Sequence, residues 1–179
     1  MKTFDELNAK LSGNENKCDW SQRPNGGGWI HKLARVDSTA FVGSDAIVWG
    51  KVSGEAWVSG EARVYGHAEV SGEARVYDNA RVYGEAWVYG HAEVSGKARV
   101  YDNARVYSDA WEKSPLFIIG SRNSLCNAKH GYLQIGCRCE KFRWWLGKEA
   151  LKFAKENNYT PDEIKEYRAY VKLFVAVGK

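Results

Sequence analysis

From Val52 to Ala110 a valine returns every sixth residue, and an alanine stands four places after each one. The units read VSGEAW, VSGEAR, VYGHAE, VSGEAR, VYDNAR, VYGEAW, VYGHAE, VSGKAR, VYDNAR and VYSDAW. A period of six fits neither the 3.6-residue turn of a helix nor a single hairpin. It is the repeat length of a parallel β-solenoid, in which short strands stack coil on coil. A disordered low-complexity tract would not keep valine in strict register.

Each residue type in the unit has a physical reason to be there. Strands stacked about 4.8 Å apart set each valine against the valine one coil away, and β-branching suits such a ladder. Alanine is the small inward residue near a corner. The Gly, Asp, Asn and Ser beside it supply the tight or left-handed backbone of the turn, and the neighbours of each valine face outward. Upstream the hexads begin imperfectly at Val36, Val42 and Val48, with Ala40 and Ala46. Two residues are missing between Val48 and Val52, so one rung is expected to be short and one corner tight.

Over residues 36 to 110 this pattern resembles the left-handed β-helix of hexapeptide-repeat proteins, in which three hexads make one triangular coil. The resemblance implies a mainly β chain: a left-handed parallel β-helix, followed here by a small C-terminal α+β module. A two-sided solenoid with two hexads per coil is the alternative. The family includes acyltransferases that act as trimers on coenzyme A thioesters, and also non-enzymatic assemblies, so the resemblance implies a homotrimer without deciding between these activities.

A three-hexad coil stacks positions three hexads apart, and the outward columns can then be read directly. One face carries Arg63, Arg81 and Arg99 beside Trp49, Tyr65, Tyr83 and Tyr101. The other two are mixed: Lys51, Glu69, Trp87 and Arg105 on one; Trp57, Arg75 and Glu93 on the other. Residues 70 to 87 recur almost unchanged at 94 to 111, a shift of four hexads, so duplication moves each copy to a different face. Stacked arginines repel unless an anion or a partner's carboxylates lie across them, and tyrosines add stacking surfaces and hydroxyl donors. The seven residues Trp49, Arg63, Tyr65, Arg81, Tyr83, Arg99 and Tyr101 are therefore the candidate ligand or partner site. The same composition also suits a trimer interface.

Acyltransferases of the resembled class use a histidine base and an extruded loop. His67 and His91 follow corner glycines and are the catalytic candidates under that alternative. They lie four hexads apart in copies of one unit, however, and no loop interrupts the hexads.

The flanks read differently. Thr3 and Glu6 form a capping box for a short helix with Phe4, Leu7 and Leu11 on one side. Residues 13 to 28 have the composition of a loop. After Trp111 the period stops. PLFII (115 to 119) and GYLQIG (131 to 136) read as strands. A helix then carries Phe142, Trp145, Leu146, Ala150, Phe153 and Ala154 on one face, with Trp144 excluded from the core that takes Trp145. Thr160-Pro161-Asp162-Glu163 opens a second helix whose buried stripe is Ile164, Tyr167, Val171 and Phe174. The expected organisation is a cap at 1–30, a solenoid at 31–112 and a ββαα module at 113–179. The motifs Ile135-Gly136-Cys137, Trp144-Trp145-Leu146 and Tyr159-Thr160-Pro161 resemble those of uncharacterised phage and prophage β-solenoid proteins.

Four cysteines at 18, 126, 137 and 139 are too few and irregular for a disulfide framework, which points to a reducing, cytoplasmic setting. Cys126, His130, Cys137 and Cys139 have metal-ligand side chains, but their spacing departs from the usual Cys-x2-4-Cys pairing of zinc sites. Met1-Lys2-Thr3 does not open a secretory signal, and no apolar run is long enough to cross a membrane. The net charge of +4 is uneven: residues 1 to 113 carry 14 Lys/Arg against 16 Asp/Glu, and residues 114 to 179 carry 12 against 6. The combined expectation is a non-enzymatic binding protein without a cofactor, a phage accessory factor that captures a host protein or a nucleotide-like anion. An acyltransferase using coenzyme A and a structural assembly component are the alternatives.

Overall fold

The structure, a computed structural model, describes residues 3–111 and 113–177. Met1, Lys2 and Glu112, which bear on the leader and on the solenoid's expected end, lie outside them. The chain divides into two compact units, Met1–Ser114 and Pro115–Lys179. No helix among the described residues is long and apolar enough to cross a membrane.

The hexads fold into two-residue strands that alternate among three parallel sheets, so the coil is three-sided and the two-sided alternative falls away. Val64, Val82 and Val100 pair in one sheet, Val52, Val70, Val88 and Val106 in the second, and Val42, Val58, Val76 and Val94 in the third. Every one of these valines is fully buried, as are the corner alanines from Ala40 to Ala98. Burying a valine side chain stabilises by roughly 1.5–3 kcal/mol, and here the gain repeats at each rung. Backbone bonds run from coil to coil, as from Trp57 N–H to Ala74 O at 2.9 Å and from Ser59 N–H to Val76 O at 2.9 Å.

Most pairs join positions three hexads apart, as Arg63 with Arg81 and Arg81 with Arg99. Near the start, Arg35 with Lys51, Phe41 with Trp57 and Ile47 with Arg63 are each two positions closer in the chain, which is the short rung expected from the missing pair. Its corner is Trp49-Gly50, where a Cβ on Gly50 would lie 2.5 Å from Ala68 O, so only glycine fits the shortened turn. At ordinary corners the third hexad position is left-handed; it is glycine in most units but Asp78 (φ 60°) and Asp102 (φ 52°) in two, since Asp tolerates that region better than most residues.

The last hexad departs from the regular reading. Glu93 pairs with Ala110 and Val94 with Trp111, one position short of three hexads, so Ala110 turns outward and Trp111 inward. Trp111 is 6% exposed and its indole N–H donates to Ser108 O at 3.0 Å. The slip thus sets an indole in the column of inward valines, below Val94, where it fills the end of the interior.

The other end is more structured than a loop. Helix α1 (Phe4–Lys10) has the Thr3–Glu6 capping box. Residues read as a loop form a 3-10 turn, Lys17–Asp19, and the strand Trp20–Gln22, antiparallel to Trp29–His31, which joins the sheet above Ile47. Leu7, Trp20, Trp29 and Ile47 make one buried cluster. His31 is buried beside Trp20 and Trp49, with ring centroids 5.0 and 4.7 Å away, and its Nδ1 accepts from Leu33 N–H at 3.3 Å.

Burial lowers the His31 pKa from its ordinary value of 6.5; Asp19 and Glu15 oppose the shift and Lys32 reinforces it. A lowered folded value means that the unfolded chain takes up the proton first. The stability this neutral imidazole contributes is therefore complete above the ordinary value and is lost as the pH falls through the lowered one. The melting temperature of the solenoid is expected to fall between about pH 7.5 and pH 5, and His31→Gln to flatten that fall. An equal slope in the variant would refute the assignment.

The second unit is a four-stranded antiparallel meander, Phe117–Ile119, Ser124–Lys129, Tyr132–Ile135 and Arg138–Lys141, so the two expected strands are joined by two more. The expected first helix breaks at Gly147 into α2 (Phe142–Leu146) and α3 (Lys148–Glu156), which leaves Leu146 38% exposed. Helix α4 (Pro161–Val177) buries Tyr167, Val171 and Phe174 against Leu125, Leu133, Ile135 and Trp145, while Ile164 is half-buried. Of the two tryptophans Trp145 is the one buried in this core; Trp144 is half-buried and packs against it, edge-on to Trp145 at 5.0 Å and under the Arg138 guanidinium at 4.3 Å. The Tyr167 hydroxyl accepts from Arg122 N–H at 3.0 Å and donates to Asn123 O at 2.8 Å, which ties α4 to the turn between the first two strands.

Candidate binding face

The parallel register places Arg63, Arg81 and Arg99 as direct Cα partners, with Ile47 above Arg63. On the far side of the inward valines, Tyr65 and Tyr83 stack at 5.0 Å with planes 3° apart, and Tyr83 and Tyr101 at 5.4 Å and 14°. All six sit at the outward position of a strand or next to it, because alternation about a buried valine leaves no other direction. Like charges on neighbouring strands oppose each other, and among the described residues no carboxylate pairs with Arg81 or Arg99.

The N-terminal helix changes the upper part of this face. The Lys10 carbonyl accepts from Arg63 Nη1 at 3.5 Å, and Lys10 Nζ lies 2.8 Å from Glu61. Leu11, Ile47, Trp49, Arg63, Tyr65 and Arg81 then enclose a hollow of about 260 Å³. Trp49 is not the open head of a ladder. The hairpin adds a rung above it, and its ring packs on Trp20 at 4.9 Å, so it serves as a wall of the hollow. Arg63 and Arg81 are half-buried and Arg99 is exposed. Burial, with Tyr83 adding to it, raises the Tyr65 pKa against the pull of Arg81, Arg63 and Arg99, so its hydroxyl stays protonated and able to donate at neutral pH. The roof contributed by Leu11 follows from where α1 lies, which no periodicity in the sequence encodes.

The other candidates lie apart. His67 and His91 are both exposed, on different corners, and His91 Nδ1 is 3.4 Å from Glu73 Oε2. In the second unit Cys126 is buried and Cys139 half-buried, with Gln134 paired between them on the intervening strand. Cys137 is exposed at the following turn and His130 at the hairpin one strand-length away. Among the described residues no three His, Cys, Asp or Glu side chains are grouped to hold a metal.

Three stacked parallel sheets with a buried valine ladder make this chain a β-solenoid repeat protein. A family described as the YdcK beta solenoid repeat matches residues 74–90 and 98–113, and the two segments start four hexads apart, the same step at which the sequence duplicates itself. No curated protein and no solved structure matches the chain.

Proposed function

We propose that this chain is a non-enzymatic binding protein whose arginine and tyrosine face holds a phosphate-bearing, nucleotide-like anion, and that it works as a homotrimer. The observation that supports the reading is the hollow beneath α1, where two half-buried guanidiniums meet two aromatic walls. Guanidinium forks match phosphoryl oxygens in pairs, and Trp49 and Tyr65 offer the surface for a base. Desolvation by the Leu11 roof strengthens both contacts relative to open water.

Thermal unfolding with a nucleotide panel, inorganic phosphate and acetyl-coenzyme A tests the proposal. A nucleotide at a hundred times its Kd is expected to stabilise by about 2.7 kcal/mol, and Arg81→Ala to remove that shift while leaving the unliganded Tm nearly unchanged. No shift with any anion, or one that survives Arg81→Ala, would sink the reading. A shift with acetyl-coenzyme A that depends on His67 or His91 would favour an acyltransferase instead. Light scattering on the same sample is expected to give three times the 20.2 kDa chain mass.

A further inference from the structure

A second hollow, of about 370 Å³, opens on the face that carries Phe41, Trp57, Arg75 and Glu93. Trp57 is 45% exposed and stacks one side of its ring on Phe41 at 3.8 Å and 20°, so the indole is held as a rigid plate. Arg75, Tyr77, Asp78 and Glu93 line the rest. Arg75 Nη1 lies 3.8 Å from Glu93 Oε1, and the Tyr77 hydroxyl donates to Glu93 Oε2 at 3.4 Å.

The neighbouring face contains a natural comparison. There Trp87 pairs with Arg105 as Trp57 does with Arg75, but the Arg105 guanidinium lies over the Trp87 ring at 4.8 Å. That sheet ends at Arg105, whereas Arg75 is followed by Glu93 on the next coil. Glu93 thus holds Arg75 off its tryptophan and the hollow stays open, while on the neighbouring face Arg105 covers Trp87.

We propose that the Trp57 hollow binds the ring of a neutral saccharide. The weakly positive C–H face of a pyranose suits the negative face of an indole held flat, and an apolar plate rimmed by a few fixed polar groups is how small-ligand sites are built. Glu93 and Asp78 accept from ring hydroxyls and Arg75 donates to them. The lining carries one cation and two carboxylates, so an anion meets repulsion, and the carboxylates a cation would seek already have partners, Glu93 in Arg75 and Asp78 in the Gly96 N–H. This site is on a different face from the nucleotide site and stands or falls separately.

The experiment is calorimetric titration of the full chain with tetramers of β-1,4-linked glucose and of N-acetylglucosamine. Tetragalacturonate and tetramethylammonium serve as the charged probes. At least one neutral tetramer is expected to bind with a Kd on the order of 1 mM. Trp57→Ala and, independently, Arg75→Ala are expected to weaken it by about tenfold or more, and Trp87→Ala to leave it within about twofold. Glu93→Gln should weaken it as well, by releasing Arg75 onto Trp57. Circular dichroism melts confirm that each variant is folded. No binding of either neutral tetramer up to about 10 mM, tighter binding of a charged probe, or affinity unchanged in both Trp57→Ala and Arg75→Ala would each overturn the proposal.

Discussion

Val82→Asp is expected to prevent the solenoid from folding. Val82 is fully buried between Val64 and Val100, and the strand bonds above and below it already occupy the local backbone donors. A carboxylate there loses the valine's burial and finds no partner for its charge; it must protonate or stay ionised without water, and either costs several kcal/mol. Against a total stability of about 5–15 kcal/mol the loss is decisive, because each coil is supported only by its neighbours. The adjacent Arg81 points outward, so Arg81→Ala is expected to change stability by less than about 1 kcal/mol. A cooperative melt for Val82→Asp within a few degrees of the parent would mean that the valine column is not the core.

That contrast between neighbouring residues is legible in the sequence alone, because inward and outward positions follow from one six-residue period. So are the three faces, their columns and the short rung. What the period could not show lies where it breaks. The Trp111 slip depends on which residue best fills an open end. The strand Trp20–Gln22 is flanked by Gly, Pro and Asn and has a loop's composition, and it exists because the sheet above Ile47 offers it an edge. Ser124–Lys129 and Arg138–Lys141 are polar enough to read as turns and become strands by pairing in the meander. For the binding faces, the columns could be read from sequence, but not the direction of each side chain. Arg75 and Arg105 have the same local sequence position, yet Arg75 turns to Glu93 one coil further on while Arg105 lies over Trp87.

Phe174→Ala is expected to have the second largest effect, confined to the C-terminal unit. Phe174 is fully buried among Tyr167, Val171, Trp145 and the inner residues of the meander. Removing a buried phenyl ring costs about 3–5 kcal/mol, a large share of what a unit of this size has in reserve. The near-ultraviolet dichroism of the Trp144–Trp145 pair should collapse and amide exchange in the meander should accelerate, while amides of the inner coils stay protected. Leu173, one residue earlier and 43% exposed, is the control, with an expected loss below about 0.5 kcal/mol on substitution by alanine. Equal effects at the two positions would place α4 on the meander by the wrong side.

The pairing register at most rungs, three hexads from partner to partner, has a consequence for how such a chain can change length. Between the short rung and the Trp111 slip its interior accepts any whole number of hexads, since the corners and the buried valines there are equivalent. Its exterior returns to itself only after three. Gain or loss of one hexad would therefore leave the core intact while turning everything beyond it by a third of a revolution, so that arginine, tyrosine and tryptophan columns are cut and rejoined in new combinations. The packing is blind to a change that the surface records in full.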